Sequence, residues 1–376
     1  MIGNLNISIL QILWWLIVSV VGSLFLFMTF VQGGQTLIWQ TAKTEDEKSL
    51  VINSLGRKWE LTFTTLVLFG GALFAAFPKF YATSFGGAYW VWIVILFTFI
   101  IQAVSYEYRK KPNNFLGNTT YELFLHINGF VGILLIGAAV GTFFTGSNFT
   151  LNDYNQVTCT HPLKGLEAAF SLFNLSVGAF LVCNARILGG MYLLNSIDFS
   201  ESESLRARIK KSVTVSFVIE LIFLLYVLGS LLFMKGFAVD EGGVVTLVAG
   251  KYLSNLLQPI NIVLLLAGLL LVVWAVFITV FKNSSRGIWP AGLGTVLVGL
   301  AVFFLAGYNN TAFYPSKSDL QSSLTIFNAS SSHFTLTAMT YVALTVPFVL
   351  AYIAYTWKQM NREKITLNEV LEEESY

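Results

Sequence analysis

Nine apolar runs, at roughly 9–38, 60–78, 85–106, 121–145, 166–194, 212–235, 256–281, 288–308 and 335–357, leave this chain few ways to fold. Each is near the ~20 residues an α-helix needs to cross a bilayer. In hydrocarbon every backbone N–H and C=O must find a partner within the protein, so runs of this length fold as spanning helices. Hydrophobic residues make up 55% of the 376 and charged residues 11%, which leaves no soluble domain of useful size. The expected fold is an all-α integral membrane protein with nine transmembrane helices in one polytopic domain. Two four-helix bundles, in 1–146 and 165–308, are followed by a further helix at 335–357. Met1 to Ser8 carries no Lys or Arg, so it lacks a signal peptide's basic region and the first run is expected to be retained.

The connections alternate in charge. Sixteen basic residues lie in every second connection: Lys43, Lys48, Arg57 and Lys58; Arg109, Lys110 and Lys111; Arg206, Arg208, Lys210 and Lys211; Lys282 and Arg286; Lys358, Arg362 and Lys364. The intervening connections hold Lys79, Lys164, Lys235, Lys251 and Lys317. The positive-inside rule then puts the N-terminus outside and the C-terminus in the cytoplasm. The outer loops near 146–165, 236–255 and 309–334 are rich in Asn, Ser, Thr and Gly and read as solvated connections. The tail ending Glu372-Glu373-Glu374 reads as a solvated terminus.

Cys159 and Cys183 have no spacing for zinc, haem attachment or redox exchange and read as structural. The histidines, His126, His161 and His333, stand in separate segments without metal-ligand spacing. Most tryptophans lie near helix ends, as an interfacial belt requires. Asn-x-Ser/Thr triplets, one inside a run at Asn174, occur at chance level. A weak internal echo links Gln32-Gly33-Gly34-Gln35 in the first run with Asn184-Ala185-Arg186 and Gly189-Gly190 in the fifth, consistent with duplicated helical halves.

Ionisable and amide side chains within lipid are expensive, so each is a functional candidate. Gln32, Gln35, Glu60, Gln102, Glu107, Glu122, His126 and Asn128 map to one level near the inner ends of the first four helices. Glu122 and His126, four apart, share a helix face. One reading is a hydrated proton uptake path in which Glu60, and Glu122 with His126, relay protons inward. The other is that Glu60, Glu107 and Glu122 are interfacial acids reaching headgroup water. Arg186 and Glu220 both map ~12–14 Å deep at ~1.5 Å per residue and are expected to form a structural ion pair.

The stretch Trp59-Glu60, then Gly70-Gly71-Ala72-Leu73-Phe74-Ala75-Ala76-Phe77-Pro78, Tyr81-Ala82, Phe85 and Tyr89, with Tyr106-Glu107-Tyr108-Arg109, closely resembles subunit II of the cytochrome bd-type quinol oxidases. Tyr314-Pro315-Ser316, Ser322 to Ile326, Asn328 to Ser331 and Pro347 fit the same family. The resemblance runs along nearly the whole chain. It implies a subunit of the prokaryotic cytoplasmic membrane, paired with a subunit I that holds haems b and d and the quinol site. The complex oxidises quinol and reduces dioxygen to water. Subunit II supports the complex and contributes to proton delivery. A bound structural quinone or lipid and small accessory membrane subunits are compatible with it; a nucleic-acid partner is not expected.

The sequence departs from the family's pattern at telling places. An Asp-Gly-Phe-Asp-x-Gly stretch late in the first helix is here Thr29-Phe30-Val31-Gln32-Gly33-Gly34, so both acids are missing. After Trp59, an Asp-Gly-Asn is replaced by Glu60-Leu61-Thr62. Glutamine does not exchange protons near neutrality, so a carboxylate chain through the first helix is not carried over. The expected path relies on Glu60, on water held by Gln32 and Gln35, or on the partner subunit. A transporter or channel subunit and a catalytically silent scaffold are the alternative readings.

Overall fold

The computed structural model describes residues 2–111, 113–200 and 202–372; Glu373 and Glu374 of the acidic tail lie outside the described residues. Among the described residues, nine helices are long and apolar enough to cross a membrane: α1 Ile7–Gln35, α2 Glu45–Ala76, α3 Tyr89–Tyr108, α4 Asn118–Thr145, α5 Leu172–Ser196, α6 Glu203–Phe233, α7 Pro259–Val280, α8 Ile288–Gly307 and α9 His333–Met360. Four are interrupted; α9 breaks at Leu344-Thr345, between His333–Ala343 and Val346–Met360. α1 breaks at Thr29, whose hydroxyl bonds the Leu26 carbonyl at 2.7 Å. α2 begins as a polar lead-in, Glu45–Gly56, closed at its start by a Thr44/Glu47 capping box, and resumes as Trp59–Ala76. It ends where Pro78 forces Phe77 out of helical geometry (φ −131°, ψ 63°). α4 carries a wide π-type turn at Asn128–Gly132.

The first helix of each sequence half packs on the last helix of the other. α1 lies on α8 as well as on α2, and α5 lies on α4 as well as on α6. The two echoing small-residue stretches meet at the crossing of α1 and α5. A Cβ on Gly33 would fall 1.8 Å from the Ala185 carbonyl oxygen, and one on Gly189 would fall 2.2 Å from the Gly34 nitrogen. Only glycine permits backbones to approach this closely. Gly70 and Gly71 of the family-like run behave otherwise. Around Gly71 a Cβ would meet nothing within 4 Å, and around Gly70 only the Phe85 ring at 3.9 Å, so this glycine pair does not mark a close helix crossing within this chain.

The outer loops differ from the solvated connections expected. The stretches 146–165 and 236–255 form antiparallel hairpins, β1 Phe149–Leu151 with β2 Val157–Cys159, and β3 Lys235–Val239 with β4 Val245–Ala249. The loop after α8 buries Phe313, Tyr314, Leu324 and Ile326 in an aromatic core with Trp15, Phe77, Phe80 and Phe143. Phe313 lies 4.5 Å from Trp15, centroid to centroid. These apolar side chains sit among polar neighbours and plug the end of the bundle. The tail also docks: Ile365 bridges Ile197, the helix Leu367–Glu372 packs on the α2 lead-in, and Arg57 pairs with Glu369.

Candidate functional site

Toward the ends of α1 to α4, polar side chains form a charged knot around Glu122 and a neutral column along α3. In the knot, Glu122 of α4 is fully buried. One oxygen accepts from Arg109 Nε at 3.2 Å and Nη2 at 2.8 Å; the other accepts from Trp39 Nε1 at 3.0 Å and lies 3.1 Å from Lys48 Nζ. The Arg109 guanidinium, 1% exposed, also reaches Glu45 at 3.2 Å and Ser49 at 3.3 Å. Two cations and an indole commit both carboxylate oxygens. Arg109 and Lys48 serve in the sequence as topology markers, and nothing in their spacing points to Glu122. Their partnership depends on the α2 lead-in folding back against the ends of α3 and α4.

The column runs along α3. Thr98, Gln102 and Tyr106 recur every four residues and so occupy one face. Thr98 Oγ1 accepts from Asn128 Nδ2 of α4 at 3.3 Å. Gln102 Oε1 accepts from Gln32 Nε2 of α1 at 3.1 Å, and the Tyr106 hydroxyl accepts from Gln35 Nε2 at 3.1 Å. Gln32, Gln35, Gln102 and Asn128 are completely buried, yet among the described residues Gln32 Oε1, Gln35 Oε1, Gln102 Nε2 and Asn128 Oδ1 have no hydrogen-bond partner. Buried polar atoms left unpaired cost about 1–3 kcal/mol each, so this column is not a stabilising device on its own. Gln102 and Asn128 were readable as intramembrane amides; Thr98 was signalled only by its four-residue step before Gln102.

Around these groups, Trp59 stacks on Tyr106 at 5.8 Å and 15°, with its own indole N–H unpaired among the described residues. His126 stacks on Trp39 at 5.2 Å and 19°, and its buried Nδ1 has no hydrogen-bond partner among the described residues. Trp39 therefore joins the imidazole to the knot, one face against His126 and its N–H on Glu122. Glu60 and Glu107 are not part of either group. Both are exposed, and Glu60 heads an outward stripe of α2 formed with Thr64, Val67, Leu68, Gly71 and Phe74.

The expected Arg186–Glu220 ion pair does not form. Arg186 turns to the segment that follows α1, where its Nη1 donates to Thr36 Oγ1 at 2.7 Å and its Nη2 to Gln40, while Nε donates to Ser216 of α6 at 3.2 Å. Equal depth was the basis for pairing them, but depth does not fix the direction each helix presents. Among the described residues Glu220 has no ion pair or hydrogen bond, and it lines an apolar cavity of about 310 Å³ between α1 and α4 to α8, beside the Asn184–Thr295 hydrogen bond.

Of the other histidines, His161 lies 3.5 Å from Glu167 and His333 bonds the Leu5 carbonyl at 2.8 Å. Among the described residues no three His, Cys, Asp or Glu side chains gather as a metal site. In the β1–β2 hairpin Cys159 is half-buried, and burial, with Glu167 adding, pushes its thiol pKa up against the opposing Lys164.

The sequence pattern of the family described as cytochrome bd terminal oxidase subunit II matches residues 10–360. The chain belongs to this family. It is 28% identical to the cytochrome bd-I ubiquinol oxidase subunit 2 of Escherichia coli strain K12, an alignment covering 95% of this chain and 96% of the relative. It is 23% identical to the cytochrome bd ubiquinol oxidase subunit 2 of Bacillus subtilis strain 168, over 94% and 98%. The fold is similar to a chain in the solved bd oxidase from Geobacillus thermodenitrificans, with a TM-score of 0.62 and 11% identity over 94% of this chain and 99% of that one. The chain is thus a multi-pass prokaryotic membrane subunit of a bd-type oxidase, whose complex is of the haem-containing quinol oxidase kind.

Proposed function

We propose that this chain is the non-haem subunit of a terminal oxidase that oxidises quinol and reduces dioxygen to water in the cytoplasmic membrane. Haems b and d and the quinol site belong to subunit I, its partner in a heterodimer. The N-terminus lies outside and the C-terminus inside, with 1–146 and 165–308 as duplicated four-helix halves and 335–357 as the ninth helix. The observation that carries this reading is a family likeness spanning residues 10–360, coincident with the nine spanning helices. It is supported by the broad apolar faces that α2 and α9 leave uncovered, which suit a membrane partner. Lipid, or small accessory subunits, would cover the outer faces of α6 and α7.

This subunit contributes to proton delivery. Glu60 acts where α2 faces outward, toward subunit I, with Glu107 on the neighbouring helix. Gln32 and Gln35 supply hydrogen-bonding groups on the inward side, and His126, stacked on Trp39, is the titratable group next to the knot. Glu122, with both oxygens committed, anchors the knot. A structural quinone or lipid chain would suit the apolar cavity edged by Glu220 and Asn184. Oxygen consumption by the assembled complex tests the proton role: Glu60→Gln should assemble normally and turn over more slowly, and unchanged turnover would remove Glu60 from the path.

A further inference from the structure

Two apolar cavities adjoin inside the bundle. The larger, of about 310 Å³, is the one that Glu220 edges. A smaller one, of about 40 Å³, lies between α1, α2, α3, α4 and α8, walled by Phe69, Phe80, Phe85, Trp92, Phe143 and Phe303. Rigid rings keep it open. Phe69 and Phe143 meet Phe303 at 61° and 55°, and Phe80 meets Phe143 at 60°. Planar rings set at such angles leave wedges of space that neither ring can fill. The Ser84 hydroxyl on the same wall accepts from the Trp92 indole N–H at 3.3 Å, so its hydrogen bonding is met without a guest.

Leu26 of α1 and Val140 of α4 line both cavities and stand between them. At its far side the larger cavity reaches Leu221 of α6 and Val273 of α7, which are 37% and 48% exposed on the outer faces of those helices. The smaller reaches Leu66 and Phe69 of α2, half-buried beside the outward-facing Val67 and Leu68. Apolar space therefore leads from the lipid beside α6 and α7, past Leu26 and Val140, to the α2 face assigned above to subunit I. Size decides the guest. Cavities walled by aliphatic and aromatic side chains stay dry and take apolar guests; ~150 Å³ holds a benzene ring, whereas ~10–15 Å³ suffices for one water-sized molecule. At about 40 Å³ the smaller cavity is too small for a ring and fits a diatomic molecule. Such a gas leaves water for hydrocarbon, which makes lipid its source, and a lipid chain lodged in the larger cavity dissolves it as the bilayer does.

We propose that the smaller cavity is a binding site for a small apolar gas, dioxygen in the working complex, on a lateral route through this subunit from lipid to the α2 face. Its use for dioxygen rests on the function proposed above; the gas site does not. Leu26 and Val140 set the width of the route at the junction of the two cavities.

Pressurising the assembled wild-type oxidase with xenon before structure determination tests the site directly. Xenon bound in the smaller cavity is the expected result; xenon absent from it, or confined to the larger cavity, would overturn the proposal. Val140→Phe tests the route, because it puts a ring at the junction. The apparent KM for dioxygen should rise several-fold, with kcat at saturating dioxygen and the KM for quinol unchanged, and Val140→Ala should bring no such rise. An unchanged dioxygen KM in assembled Val140→Phe would overturn the route, as would a fall in kcat alone, which is what a merely structural defect gives. The wild-type xenon result stands even where Val140→Phe fails to assemble. A complex without oxidase activity would sink the proposed function and leave the xenon site to be read on its own, so the two ideas fall separately.

Discussion

Removing Arg109 should damage this subunit more than removing any other basic residue at its charged end. The guanidinium is 1% exposed, so solvent screening does not soften its loss as it would for a surface pair. Arg109→Ala strips Glu122 of two charge-assisted bonds, at 3.2 and 2.8 Å, and leaves it with Lys48 and Trp39. Breaking one side of a buried pair typically costs ~3–5 kcal/mol. Because Lys48 remains, the lower part of that range, about 3 kcal/mol, is expected, enough to shift a folding equilibrium more than a hundredfold. Arg109→Gln combined with Glu122→Gln removes both charges at similar volume and should regain most of the loss. Membrane complexes often unfold irreversibly, so the assay is the yield of haem-containing complex and its inactivation half-life at fixed temperature. A half-life for Arg109→Ala equal to wild type, or a double variant no better than the single one, would refute the reasoning.

Other consequences are as specific. Gly33→Ala should block assembly, since its Cβ meets backbone at 1.8 Å, whereas Gly229→Ala on α6, where a Cβ would meet nothing within 4 Å, should be tolerated; comparing membrane yields of the two checks the α1–α5 crossing. The Cys159 thiol, held protonated by burial, should react slowly with iodoacetamide near neutral pH and faster as pH rises through its raised pKa. A rate already at its plateau at pH 8 would contradict that environment. Arg186→Lys should lose more stability than Glu220→Gln, because the guanidinium ties the end of α1 to α6 through Thr36 and Ser216, while Glu220 has no hydrogen bond or ion pair among the described residues. Equal losses in assembled yield would argue against this.

Much of this architecture is written in the order of residues. Apolar run length gives the nine spans, and the echo between Gly33-Gly34 and Gly189-Gly190 marks two stretches that do touch. Depth along a helix is also legible, since each residue adds a fixed rise, and it brings Gln32, Gln35, Gln102, Glu122 and Asn128 to a common level. Azimuth is not. The direction of Arg186 follows from how α5 is rotated against α1 and α6, and Glu60 faces outward although its depth suits the cluster. Partners also depend on segments that look like solvent-exposed connections. Lys48 reaches Glu122 only because the α2 lead-in folds back, and Phe313 is core only because its loop turns into the bundle. Composition reports the average of such a loop, whereas its few apolar side chains determine where it goes.

The central claim is that this chain works beside a haem-bearing partner. Purifying the intact chain from its native membrane and recording a visible spectrum tests it most directly. Co-purification with a second membrane subunit and haem absorbance that changes on reduction is the expected result. Intact chain recovered without haem or partner would contradict the account.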